Sequence, residues 1–193
     1  CMARSISLID EMLDTQGVSN DLQLDYIFYD IEGETPCTGY ILPIREGVMQ
    51  RCIIVTNGSF AAVTTANSIL QAVVRASGTE SFPVQLIVNC ANCMETRKEL
   101  ASYAQRATIE ILAYINTDEE LEYSSLAGKT IFSVNAHSDA AKHFSQIADD
   151  LLVGAIPTKL TPFGRRDLIL WLREWQRREL SRRLAGGEKC HDA

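Results

Sequence analysis

Apolar and polar positions along this chain switch between two periods. Short apolar runs at Asp25 to Ile31 (DYIFYDI), Arg51 to Thr56 (RCIIVT), Val84 to Asn89 (VQLIVN) and Ile109 to Ile115 predict strands. Stretches with helical spacing alternate with them. Ser5 to Thr15 places Ile6, Leu8, Ile9, Met12 and Leu13 at helical intervals, with Gly17 positioned to end the turn. Further helices are predicted at Ser59 to Arg75, Glu95 to Arg106, Asp118 to Leu126 and Asp139 to Leu152. Pro157 and Pro162 punctuate a connection, and Gly164 to Leu184 then reads as a helix rich in Arg and Trp. Strand and helix in alternation imply an α/β fold with a mostly parallel sheet, half to two-thirds of a doubly wound domain. The division expected is a main domain over residues 1–156 and a helical extension with a tail over 157–193.

Composition narrows the class. At 193 residues and 46% hydrophobic, the chain suffices for one domain with a sizeable core. Its longest apolar runs are far too short to span a bilayer, and nothing resembles a signal peptide, so a cytoplasmic location and no membrane partner are expected. A net charge of -7 argues against non-specific nucleic-acid binding. The six cysteines, Cys1, Cys37, Cys52, Cys90, Cys93 and Cys190, are irregularly spaced, and no disulfide framework is expected in a reducing compartment. Cys52 lies inside a strand and reads as a core residue. Cys90-x-x-Cys93 has no second cysteine or histidine pair nearby, so it reads as holding no metal. The start at Cys1, ahead of Met2, gives the expectation of a fragment of a longer polypeptide.

The chemistry concentrates in Tyr26 to Glu46, YIFYDIEGETPCTGYILPIRE. A strand ending in Asp30 with Gly33 three residues on is the arrangement of the Walker B and switch II segment of P-loop ATPases. A carboxylate at a strand's carboxyl end can hold a Mg²⁺-bound water, and a glycine beside it can offer a backbone N–H to a terminal phosphate. Taken alone, this D-x-x-G is common. It continues, however, through Glu34 and Cys37 to Gly39 and Pro43-Ile44-Arg45-Glu46, and then into IIVTNGSFAAVTTANSIL. The combined pattern resembles the nitrogenase iron protein family, in its D-x-x-G-D-x-x-C strand end, its G-x-x-x-P-I-R-E segment and the glycine turn and A-N helix that follow. Cys1 to Arg4 fits the family's C-x-x-R at the start of a helix.

The resemblance implies a three-layer P-loop NTPase-like fold lacking its N-terminal P-loop unit. It further implies a 4Fe-4S cluster ligated by Cys1 and Cys37 of each of two chains in a homodimer, since such a cluster takes four thiolates. Asp30 and Glu34 become the catalytic carboxylates, Gly33 and Asn89 the Mg-ATP contacts, and Arg4 a residue of the partner-docking face. The implied activity is ATP-driven electron delivery from the cluster to a nitrogenase or nitrogenase-like catalytic component, with a ferredoxin or flavodoxin as reductant. Asp30 and Cys37 are seven peptide steps apart, at most ~25 Å when extended, so a phosphate-ordered switch would reach the cluster ligand.

Several positions depart from the family pattern. Glu34 stands where the family has Asp, Ser59 replaces an acidic residue, and Tyr114 to Asp118 (YINTD) lacks the Pro-Arg expected before the aspartate. No G-x-x-x-x-G-K-[ST] occurs in these residues, so the chain by itself is not expected to bind ATP productively. These departures suggest a nitrogenase-like paralogue. The competing reading is a partner-binding domain related to ParA and MinD-type ATPases, non-catalytic and without a cluster.

Overall fold

The computed structural model describes residues 8, 11–13, 15–17, 23–33, 44, 47–78, 81–89, 91–154 and 157–185. Three parallel strands form its centre: β1 (Cys52–Thr56), β3 (Val84–Val88) and β4 (Glu110–Tyr114), in the order β1-β3-β4. Ile54 lies opposite Leu86 and Val88 opposite Tyr114, with a register shift between Leu86 and Ile87. β3 is buried at all five positions, as a central strand covered on both faces must be.

Helix α1 (Phe60–Ser77) crosses from β1 towards β3, and α2 (Met94–Ala107) from β3 to β4. Both have polar N-caps followed by apolar residues at helical spacing, and α1 ends at Gly78 in the left-handed region. Beyond β4 come α3 (Glu119–Leu126), α4 (Ile131–Asn135), α5 (Asp139–Val153) and, last, α6 (Arg165–Leu184). A two-residue antiparallel pair, β2 (Ser81–Phe82) with β5 (Thr158–Lys159), joins the segment before β3 to the approach to α6.

Because successive strand residues face opposite ways, the sheet divides the core in two. Ile54, Leu86 and Val88 pack with Val63, Leu70 and Val73 of α1, Leu100 and Tyr103 of α2, and Leu168, Trp171 and Trp175 of α6. On the other face Ile87 and Ala113 meet Ile147, Phe144 and Leu151 of α5. Helix–sheet–helix makes three layers, and the α/β fold with a mostly parallel sheet expected from the sequence is the one observed. Tyr103, Phe163, Trp171 and Trp175 form a continuous ring cluster that seats α6. Arg178 adds a bidentate pair from α6 to Glu99 of α2, 2.7 Å on each arm. No helix among the described residues is long and apolar enough to cross a membrane.

One predicted strand is absent. Asp25 to Ile31 joins no ladder, and Tyr26, Ile27 and Phe28 are exposed. A strand is stabilised by ladder hydrogen bonds, and this segment joins no ladder among the described residues. β1 likewise lacks a partner along its outer edge there. Of the first predicted helix, Leu8, Glu11 to Leu13 and Thr15 are helical, and Gly17 has φ 67°.

Candidate functional site at the carboxyl edge of the sheet

All three parallel strands end on one side, and each feeds a helix N-terminus there, the place where sheets of this type bind ligands. After β1, Asn57 Oδ1 accepts from the Ser59 N–H at 3.1 Å and Ser59 Oγ caps α1 through the Ala62 N–H at 3.2 Å. Between them Gly58 has φ 74°, and a Cβ there would lie 2.7 Å from Thr96 Cγ2 of α2. Glycine is therefore required on two grounds, backbone conformation and close approach. After β3, the Asn89 N–H extends the ladder to Thr56 O at 2.7 Å, and Cys93 Sγ caps α2. After β4, Asp118 Oδ1 accepts from the Glu120 and Leu121 N–H groups at 2.9 and 3.1 Å.

A polar cluster locks the second and third of these loops together. Thr117 N–H donates to Asn92 Oδ1 at 2.7 Å, and Asn92 Nδ2 donates to Thr117 Oγ1. Arg97 Nε donates to Ala91 O at 2.6 Å and its Nη2 to Asn116 Oδ1 at 2.5 Å, while its guanidinium lies 4.9 Å from the Tyr114 ring centroid. Burial pushes the Tyr114 phenol up, and the nearby Arg97 charge opposes it. Sequence reasoning missed Asn92 and Arg97 altogether and registered Asn116-Thr117 only as a departure. Cross-loop pairs between polar residues about twenty positions apart leave no periodic signal.

A second feature lies at the open edge of β1. Glu32 and Gly33 face Ile54, Val55 and, on α1, Ala62, Thr65 and Ile69 across a cavity of about 360 Å³. A Cβ on Gly33 would stand 3.3 Å from Thr65 Cγ2, so this glycine lets the backbone approach α1 closely. The cavity reaches the first turn of α1, the helix entered from the carboxyl end of β1.

The structure therefore sets Gly33 beside β1 and α1, and Asn89 at the carboxyl end of the adjoining strand. Asp30 is solvent-exposed in the segment leading to Gly33, which joins no ladder among the described residues. Cys1, Arg4, Glu34 and Cys37 lie outside the described residues, as does Cys90. Ile44, from the P-I-R-E segment, is buried in the main core. Cys52 is the free thiol among the described cysteines, and burial pushes it up to about 12; Cys93 is disulfide-bonded. No group of three metal-ligating side chains occurs among the described residues.

Comparison with known proteins gives a family. Residues 1–176 match the family model described as 4Fe-4S iron sulfur cluster binding proteins, NifH/frxC family. The chain is also 25% identical over 177 residues to nitrogenase iron protein 2 of Paenibacillus durus, an overlap covering 91% of this chain and 60% of that relative. The chain thus spans about three-fifths of the length of the curated relative it matches.

Proposed function

The chain belongs to the NifH/frxC family of 4Fe-4S iron–sulfur cluster-binding proteins, and from that premise we propose that it is the cluster and switch portion of an ATP-dependent electron-transfer component. In this reading the whole protein is a cytoplasmic homodimer that takes electrons from a ferredoxin or flavodoxin. It passes them to a nitrogenase or nitrogenase-like catalytic partner, which docks on a face that includes Arg4. The observation that carries the reading is the extent of the family match, which takes in Cys1, Asp30, Gly33 and Cys37 together.

The donor chemistry fits a shared cluster. A thiolate is what ligates iron; the half-buried Cys52 thiol is pushed up by desolvation and Cys93 is already bonded, so neither suits the role. Cys1 and Cys37 are the donors that the family resemblance implies, two from each chain. When bound, the cluster supplies one-electron storage and release.

The chain's own residues would serve the nucleotide end as follows. The exposed Asp30 carboxylate would hold a Mg²⁺-bound water, and Glu34 would orient the attacking water. The Gly33 N–H, next to a cavity against α1, would meet the terminal phosphate, and Asn89 would line the base side of the crevice. Asn116 and Thr117, tied to Arg97 and Asn92, are engaged within the protein, so base contacts here depend on fewer loop side chains than in the family pattern. The phosphate grip belongs to the whole protein.

Anaerobic purification with iron and sulfide reconstitution tests the proposal. The expected product is brown, with about four irons per dimer. Cys37→Ala should lose the colour, and Cys52→Ala should keep it. A colourless wild-type dimer under those conditions would sink the reading.

A further inference from the structure

Charge is segregated on this molecule. Helix α6 carries seven arginines against three carboxylates, although the chain as a whole has a net charge of -7. Three of those arginines are ion-paired, Arg178 with Glu99, and Arg182 and Arg183 both with Glu179. Arg165, Arg166, Arg173 and Arg177 are exposed and have no ion-pair partner among the described residues. Helical spacing puts Arg166, Arg173 and Arg177 on the side opposite Leu168, Trp171 and Trp175, which face the core, with Arg165 at its flank. Ile169, Leu170, Leu180 and Leu184 share that outer side and are exposed, Leu184 to 89%. The result is a basic and apolar stripe along a 20-residue helix, about 30 Å long.

The complement is on the same chain. In α3, Glu119, Glu122, Tyr123 and Leu126 recur at i, i+3, i+4 and i+7 and so share one face. Tyr123 and Leu126 are exposed, Leu126 to 90%, and neither glutamate has a described ion-pair partner. An apolar strip flanked by unpaired glutamates matches one flanked by unpaired arginines. Within one molecule α6 packs in the layer of α1 and α2, whereas α3 contacts α4, and α4 contacts α5 on the other face of the sheet; no ion pair joins the two patches among the described residues.

We propose that the α6 stripe of one copy docks on the acidic, apolar face of α3 of a second copy. Because the two patches differ and sit on separate helices, the contact is heterologous and continues from copy to copy. It uses none of the residues assigned to the cluster or nucleotide, so it is independent of the proposed function and of any two-fold dimer built on Cys1 and Cys37.

Sedimentation velocity of the full chain across a concentration series tests this. Species larger than a dimer should grow with concentration and recede at high salt, in the wild type and equally in Cys37→Ala. Reversing α6 (Arg166→Glu with Arg173→Glu) or α3 (Glu119→Arg with Glu122→Arg) should each weaken association about tenfold or more. All four positions are exposed, and unchanged circular dichroism and thermal midpoints would show that both variants fold. Mixing the two reversed variants should restore association, since each then offers the other a matched pair of faces. Failure of the mixture to associate, or a wild type that never passes beyond a dimer, would overturn the proposal. So would retention of the stripe by anionic vesicles, dependent on Arg166 and Arg173, without self-association.

Discussion

Asn67 shows how much one side chain can hold. It is buried in α1, its Nδ2 donates to Phe163 O at 3.0 Å, and its Oδ1 accepts from the Phe163 N–H at 2.9 Å and from Tyr103 Oη at 3.4 Å. These bonds bring the approach to α6 onto the core. In Asn67→Ala, Phe163 O would keep its second donor, Gln71 Nε2 at 2.6 Å, but the buried N–H and phenol would lose theirs. The expected cost is about 2–4 kcal/mol, read from the urea midpoint. At Gly58 two penalties combine, since φ is 74° and the added methyl meets Thr96 Cγ2 and Leu100 Cδ1. Gly58→Ala should destabilise by about 2–3 kcal/mol. Gly47→Ala, at φ 76° but with open space around it, should cost only about 1 kcal/mol. Sequence reading singled out the glycine turn and the A-N pair as pattern matches. It had no access to their reasons, because the partners, Thr96 and Phe163, are set by packing between distant segments.

At the scale of elements, periodicity was a sound guide wherever an element has neighbours. β1, β3 and β4 and the helices α1, α2, α3, α5 and α6 lie within about two residues of their expected spans. Two places escaped it. Asp25 to Ile31 is patterned like the true strands but joins no ladder among the described residues, although β1 has an open edge there, whereas β2 and β5 are two residues each and exist only through one another. Patterning reports which face a segment can bury, not whether a ladder forms. The last turns of α6 carry a local device of their own. Glu179 accepts from Arg182 Nε and Nη2 at 3.0 and 2.8 Å and from Arg183 Nε at 2.7 Å. The hydrogen bond from Arg182, aided by that from Arg183, lowers its carboxyl from 4.5 to about 2. With the folded value below the unfolded one, the stabilisation is complete above about pH 4.5 and is lost as pH falls through about 2. The end of α6 should therefore fray over that window, by about 1 kcal/mol or less. Residue-resolved NMR should show it, and Glu179→Gln should remove the pH dependence in residues 179–184.

At the largest scale, the described residues form a sheet whose β1 edge has no strand beside it. The family pattern, being local, made Gly33 legible as a candidate, and the structure sets it in the cavity beside β1; Asp30, expected with it, is exposed and does not line that cavity. The candidate site was illegible where it depends on assembly, in the cavity at the edge of β1 and in the Asn92–Arg97 cluster across two loops. The open edge has a consequence at single amides. The Cys52 N–H donates inward to Pro83 O at 2.9 Å, so by the two-residue period of a strand Ile54 and Thr56 also turn inward and Ile53 and Val55 turn out. Val55 is 64% exposed, and the cavity separates it from Glu32 and Gly33, leaving room on that side for further chain. In the 193-residue chain the amides of Ile53 and Val55 should exchange with solvent orders of magnitude faster than that of Ile54 or those of the central strand β3. If a strand of a longer polypeptide fills this edge, as the proposed function requires of its phosphate-binding part, both amides become as slow as Ile54. Native-state hydrogen exchange on the two forms measures the difference directly. Equal protection of Ile53, Ile54 and Val55 in the present chain would mean that the edge is already occupied.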